Sequence, residues 1–321
     1  MTVYIIRRLL ICIPILFGVT LLTFLIVNAR GNPVADLALN PRYRAEDIAR
    51  VRASMGLDEP VLVRYGIWVS AVLRGDLGLS LSNNTPVRDR IFDVLPNTIV
   101  LTGVAFLAAL LISIPLGVVS AVMRNTWFDH IVTVGTVAAF AVPAFWLGLM
   151  LILLFASQFR EWGLPSLPVS GMVDRRGGGD LLDRLSHLIL PVTALAIADL
   201  AGWTRYIRSQ MLEVVRQDYV QTARAKGLSD RIVLFGHAFR NALLPLVTLM
   251  GLSLPGLIGG SFIIETVFAW PGIGRLTVDA ARASDYTLIM GAVFIASVLT
   301  LLANLLADIA YALLDPRIRY G

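Results

Sequence analysis

Six long apolar runs constrain this chain more than any other feature. Leu9–Asn28, Thr98–Met123, Ile131–Gln158 and Ala242–Ile264 hold no charged side chain, and Leu188–Tyr206 and Thr287–Leu314 are nearly as clean. Each is about as long as the ~20 residues a helix needs to cross the hydrocarbon of a bilayer. Backbone in hydrocarbon must satisfy its own hydrogen bonds, so such runs fold as helices. With 57% hydrophobic residues, the chain reads as an all-α polytopic membrane protein of six transmembrane helices. Arg7 and Arg8 imitate the basic start of a signal peptide. The run that follows is long for one and lacks a small-x-small cleavage site, so a retained span is expected.

The connecting segments divide by charge. Arg7, Arg8, Arg124, Arg317, Arg319 and seven basic residues between Trp203 and Leu246 fall on one side, against Asp129, Glu213, Asp218, Asp230 and Asp315. The two short segments on the other side, 159–187 and 265–286, carry six basic and seven acidic residues. Basic loops stay in the cytoplasm, so both chain ends are expected there. The segment 30–97 has nine arginines against eight acids and is too long to fix orientation. Within it, Ala45–Met55 and Pro60–Leu73 read as short amphipathic helices split by Gly56-Leu57-Asp58-Glu59. It serves either as a solvated cap or as a docking surface for an extracytoplasmic binding protein.

The most basic stretch runs from Trp203 to Leu246, where Arg205, Arg208, Arg216, Arg224, Lys226, Arg231 and Arg240 face only Glu213, Asp218 and Asp230. Tyr219–Lys226 favours a helix, Gly227 supplies its stop, and Ser229 or Asp230 can cap a second helix through Phe239. Two short helices meeting at a glycine make a compact basic knob, suited to docking a soluble partner.

Several chemistries are excluded. Cys12 is the one cysteine, and His130, His187 and His237 lie in separate loops, so neither a disulfide nor a metal site is expected. The one lysine, Lys226, is followed by Gly227 rather than Ser or Thr, so the chain has no Walker A loop and is expected to bind no cofactor. No span pairs Ser with His or His with Asp at helical spacing, which argues against an intramembrane enzyme. An ion-coupled transporter would rest on Asp199 and Asp308, the two acids within spans. No nucleic acid partner is expected.

The run Asp218-Tyr219-Val220-Gln221-Thr222-Ala223-Arg224-Ala225-Lys226-Gly227-Leu228 resembles the coupling loop of bacterial ABC importer permeases, in the branch that takes dipeptides, oligopeptides and nickel. Gln221-Thr222-Ala223 stands where the general family has Glu-Ala-Ala, and His237-Ala238-Phe239-Arg240 where it has Ile-x-Leu-Pro. The peptide branch shows these same departures. The opening YIIRRLL, MGLDEP, RGDLG, FAVPAFW, WPGIG and the terminal DPRIRYG are similar as well, and the chain looks most like the B-type component of a dipeptide permease. Arg30-Gly31-Asn32-Pro33 departs from the usual Pro-Gly-Asp-Pro.

The resemblance implies a type I permease fold in the bacterial inner membrane. It divides the chain into a first transmembrane helix (1–29), an extracytoplasmic loop (30–97), a five-helix core (98–314) with the coupling loop 207–241, and a cytoplasmic tail (315–321). It implies a second permease subunit, two ATP-binding subunits that hold ATP and Mg, and a substrate-binding protein. Tyr219, Thr222, Ala223, Arg224, Ala225, Lys226, Gly227, Leu228 and Arg240 become the expected contacts to the ATPases. Dipeptide, longer peptide, glutathione and nickel complex all remain open as substrate.

Prolines 14, 115, 143, 191, 245 and 255 suit a kinked bundle that opens and closes. Gly256 and Gly260 form a G-x-x-x-G pair that lines either a subunit interface or the translocation path. Asp199 is expected either to face that path or to pair structurally with a partner helix, because an acid in a span is costly.

Overall fold

The computed structural model describes residues 2–29, 44, 46, 49, 52–53, 56–174, 179–229, 232–233, 236 and 239–314. The helices are α1 (Thr2–Ala29), α2 (Val61–Leu73), α3 (Val87–Val122), α4 (Trp127–Ala141), α5 (Ala144–Leu153), α6 (Leu181–Val214), α7 (Asp218–Ala225), α8 (Arg240–Val267), α9 (Ile273–Arg282) and α10 (Tyr286–Leu314). Among the described residues β structure is confined to one isolated bridge, Leu79 to Pro86. Among the described residues, five stretches are long and apolar enough to cross a membrane: Ile5–Ala29, Val87–Val122, Ala144–Glu161, Leu181–Val214 and Tyr286–Ile309. α8, with 28 residues, has the length to cross as well.

Two helices outrun their apolar runs. α3 begins at Val87, eleven residues before the uncharged stretch, and its first turns carry Arg88, Asp89, Arg90 and Asp93. α6 has 34 residues, about 51 Å, so its ends stand clear of a ~30 Å hydrocarbon layer. The third run, expected as one span, is divided. Val142 is extended (φ −86°, ψ 123°) and Pro143 opens α5. A residue before proline is pushed out of the helical region and proline itself lacks the N–H, so the ladder stops there. α5 runs on through a π-helical turn, Leu154–Gln158, and a last turn, Phe159–Glu161. Pro14 and Pro191, by contrast, sit inside continuous helices.

The chain forms two units, Met1–Ile5, Ile99–Trp270 and Leu302–Gly321 in one, Ile6–Thr98 and Pro271–Leu301 in the other. The core of the first is built on α6. Trp203, Ile207 and Met211 of α6 are buried with Leu101, Ala105, Ala109, Val118 and Ala121 of α3, and Ile264, Phe268 and Trp270 close the same cluster. Helices approach closely where side chains are missing. A Cβ on Gly117 would lie 2.7 Å from Ile207 Cβ and 2.8 Å from the Thr204 carbonyl, and one on Gly251 would lie 2.6 Å from Ala307 Cβ. In the second unit Asp285 is fully buried at the N-terminus of α10. It accepts hydrogen bonds from Leu288 N, from Leu81 N and Ser82 N, and from the Ser80 hydroxyl, which fastens the 79–86 turn to that helix.

The Gly117 approach yields a test. Gly117→Ala must push α3 away from a backbone carbonyl, an overpacking cost of about 1–3 kcal/mol. Its detergent melting temperature is expected to fall by several degrees. Gly103→Ala on the same helix, where nothing lies within 4 Å of the added carbon, is expected to leave it unchanged.

Candidate coupling site

The basic knob starts where α6 ends. Val215, Arg216 and Gln217 turn the chain, and α7 follows from Asp218 to Ala225. α7 has only eight residues, too few to be stable alone in water. It is held by its own small core, in which Val220, Ala223 and Val233 are buried with Val214 packed against them. Thr222 Oγ1 donates back to the Asp218 carbonyl at 2.8 Å, and Gln221 Nε2 to the Arg216 carbonyl at 3.1 Å. Gly227 has φ +79°, and the Leu228 N–H returns to the Ala223 carbonyl at 3.4 Å. That is a Schellman stop, which needs a left-handed residue after the last helical one. The glycine expected to end this helix therefore ends it, for a backbone reason, since no atom lies within 4 Å of where its side chain would be.

With the apolar face turned in, Tyr219, Thr222, Ala225, Lys226, Gly227 and Leu228 are exposed on one compact surface. Ala223 is not part of it and packs into the small core. The side chains of Arg224 and Arg240 lie outside the described residues, as does most of the second helix expected from Asp230 to Phe239. Its start is visible in the Val233 N–H bonded to the Ser229 carbonyl at 3.0 Å.

Two of the seven basic residues are committed elsewhere. Arg208 forms a two-pronged ion pair with Asp129 of α4, its Nη2 lying 2.7 Å from Oδ2 while Nε reaches Oδ1. Asp129 is 2% exposed and Arg208 26%. The same carboxylate accepts from the Ser120 hydroxyl of α3 and, at 3.0 Å, from the Asn125 N–H. One acid thus ties α3, the α3–α4 turn and α4 to α6. The Arg208 guanidinium, helped by Ser120 and Asn125, holds the Asp129 carboxyl well below the usual carboxylate range against the opposing effect of burial. Arg205 lies 4.9 Å over the Phe140 ring, a cation–π contact. Below this anchor, Arg124, Ser209, Leu212, Glu213, Arg216, Gln217 and Asp218 line an open cleft of about 490 Å3 beside the first turn of α7.

Of the candidate pathway residues, Asp199 and Gly260 fall where α6 and α8 meet. Asp199 is half-buried and set beside the Ser253 hydroxyl of α8. One turn earlier on α6, Leu195 Cδ1 lies 3.4 Å from where a Gly260 Cβ would be. Gly256 is exposed with open space around it, so the G-x-x-x-G pair is not a close helix crossing within this chain. That role belongs to Gly251.

Residues 113–320 match the family described as binding-protein-dependent transport system inner membrane component, and residues 1–102 match its N-terminal counterpart. The chain belongs to this family. It is 44% identical over 321 residues to the oligopeptide transport system permease protein AppB of Bacillus subtilis (strain 168), covering all of both chains. Over 339 residues it is 37% identical to the dipeptide transport system permease protein DppB of Escherichia coli (strain K12), covering 99% of this chain and 98% of that one. Over 317 residues it is 38% identical to the glutathione transport system permease protein GsiC of Escherichia coli O6:H1, covering 99% of each. The permease is accordingly a multi-pass protein of the inner membrane with the type I ABC permease fold, a transport subunit rather than an enzyme.

Asp129 was not among the residues that sequence reasoning assigned to the site. The one available signal was an acid in the short 124–130 turn of a side otherwise rich in arginine. The ion pair makes a pH prediction for the permease. A depressed carboxyl pKa contributes stability that is present above the unfolded value and lost as pH falls toward the folded one. Asp129→Asn is expected to melt lower than the wild type by a gap that stays constant between about pH 5 and 8 and narrows only below about pH 4. Thermal unfolding across that range checks it.

Proposed function

We propose that the chain is one membrane subunit of an ATP-driven importer for peptides of the dipeptide and oligopeptide class. The observation that carries this is the exposed α7 surface, a short helix stopped by Gly227 and packed on a small apolar core that includes Val214 at the end of α6. The names of AppB and DppB support the substrate class. In this reading a second permease subunit completes the path and two ATP-binding subunits dock on Tyr219–Leu228. An extracytoplasmic binding protein delivers the substrate. ATP and Mg are held by the ATPases, since Lys226 stands in no phosphate-binding loop. In this reading both chain ends and α7 face the cytoplasm, which the arginine distribution supports.

The mechanism is alternating access. ATP closes the ATPases, they push on α7, and α6, whose last residue Val214 packs against the buried face of α7, carries the displacement into the bundle. Through Arg208 and Asp129 the push reaches α3 and α4 in the same step. Asp199, Gly256 and Gly260 contribute to the surface along which substrate or a partner helix passes. Glutathione is the second reading for the substrate, supported by the similarity to GsiC and by its being itself a short peptide.

Gly227 separates coupling from assembly. A β-branched residue at φ +79° carries a backbone penalty of about 1–2 kcal/mol or more, with no steric clash added. In proteoliposomes with ATPases and binding protein, Gly227→Val is expected to lose most peptide uptake while ATP hydrolysis continues. Gly227→Asn, which tolerates the left-handed region, is expected to keep uptake. Full coupled uptake by Gly227→Val would remove the knob from the mechanism.

A further inference from the structure

α2 does not look like a helix that sits in water. Its sequence, VLVRYGIWVSAVL, has one charge, Arg64. Leu62 is 69% and Leu73 83% exposed, and Val61, Val63 and Ile67 are exposed beside them. Its buried side chains are seated on two membrane-crossing helices. Tyr65 packs edge-on between Phe17 and Phe24 of α1, with its hydroxyl 2.8 Å from Thr20 Oγ1 and 3.2 Å from the Phe17 carbonyl. Trp68 stacks on Tyr65 and meets Phe294 of α10 edge-on.

These contacts fix a depth. Thr20 is eight residues inside α1 from Asn28, and Phe294 is eight residues inside α10 from its first residue, Tyr286. At 1.5 Å per residue both distances are about 12 Å. Two independent spans thus place the Tyr65–Trp68 face well inside one half of a hydrocarbon layer about 30 Å thick. Arg64 fits the same frame. Its guanidinium lies 5.9 Å over the ring of Phe24, four residues from Asn28 and so about 6 Å from the end of α1, where a long basic side chain can reach the interface.

Between α1 and α2 lies a groove of about 400 Å3, lined by Phe17, Leu21, Leu62, Tyr65, Gly66 and Leu73 among others. A side chain is missing at Gly66, with nothing within 4 Å of where its Cβ would be. The groove's two hydroxyls are already used. Tyr65 is bonded to α1, and Ser70 Oγ, which also lines it, donates to the Ile67 carbonyl at 2.7 Å. A peptide or headgroup entering here would find neither hydroxyl free to donate and would leave its carbonyl or phosphate oxygens unsatisfied. An acyl chain leaves none.

We propose that α2 is embedded in the leaflet on the Asn28 side and that the α1–α2 groove seats an acyl chain of a bilayer phospholipid. The long segment after α1 therefore re-enters the membrane before it turns back at Gly75–Gly78 to start α3. The proposal does not depend on the substrate or on coupling through α7.

The test uses the full transporter complex in nanodiscs, with Cys12→Ser as background and bimane attached at Leu62→Cys or Leu73→Cys. Phospholipids brominated on their acyl chains are expected to remove most of the emission at both sites, and aqueous iodide to remove little. Strong quenching by iodide would mean a solvated helix, and resistance to both quenchers would mean a protein partner over this face; either overturns the proposal. Groove occupancy is read separately by native mass spectrometry. Gly66→Phe is expected to lose one bound phospholipid relative to the wild type, and an unchanged lipid count would overturn the acyl-chain assignment.

Discussion

A buried carboxylate at the end of an apolar bundle must be matched, and the two-pronged ion pair from Arg208 to Asp129 is what matches it. Breaking such a pair leaves a charge without a partner, which is far more costly than never having had it. Everything around it is arranged to avoid that. Ser120 and the Asn125 N–H take up the remaining acceptor capacity, and Thr126 caps α4 beside it. The tight approach of Gly117 to Ile207 brings α3 against α6 just where the pair must form. The cluster of Trp203, Ile207 and Met211 then keeps water away from one flank.

In the proposed coupling, this anchor lets an eight-residue helix transmit force. α7 is stable through contact with Val214 and Val233 rather than through its own length. It continues from α6, a single helix of 34 residues. In that reading, a push on α7 acts on a lever fixed to α3 and α4 by ionic and hydrogen bonds as well as by apolar contact. Apolar contacts slide with little directional preference, whereas a bidentate arginine–carboxylate pair holds one geometry.

Much of this was legible in the sequence. Apolar runs of bilayer length located the long helices, although the third run breaks at Pro143, and Gly227 was readable as a helix stop because few residues other than glycine accept a left-handed φ. The ends of α2 follow from Pro60 and from Arg74-Gly75. Other features were hidden for identifiable reasons. The pairing of Asp129 with Arg208 joins residues 79 apart, and in a count of loop charges one simply offsets a balance that still comes out basic. Gly256 and Gly260 carry the familiar small-residue spacing, yet the close crossing falls at Gly251, because spacing says nothing about which face meets a neighbour. The helix break at Val142–Pro143 was one of several prolines in spans, and sequence alone did not separate it from Pro14 or Pro191, which leave their helices intact. Composition also could not tell that α2 lies against α1 at the level of Thr20.

The lever is tested most directly by a distance. Spin labels at Tyr219→Cys on α7 and Arg124→Cys on the α3–α4 turn, in a Cys12→Ser background, report whether the two move as one body in the assembled transporter. Pulsed dipolar spectroscopy is expected to give a separation that changes by no more than about 2 Å between the nucleotide-free and ATP-bound complexes, the scale of small packed-helix shifts. A change well beyond that, with α7 moving while the turn stays behind, would contradict rigid transmission through Arg208 and Asp129.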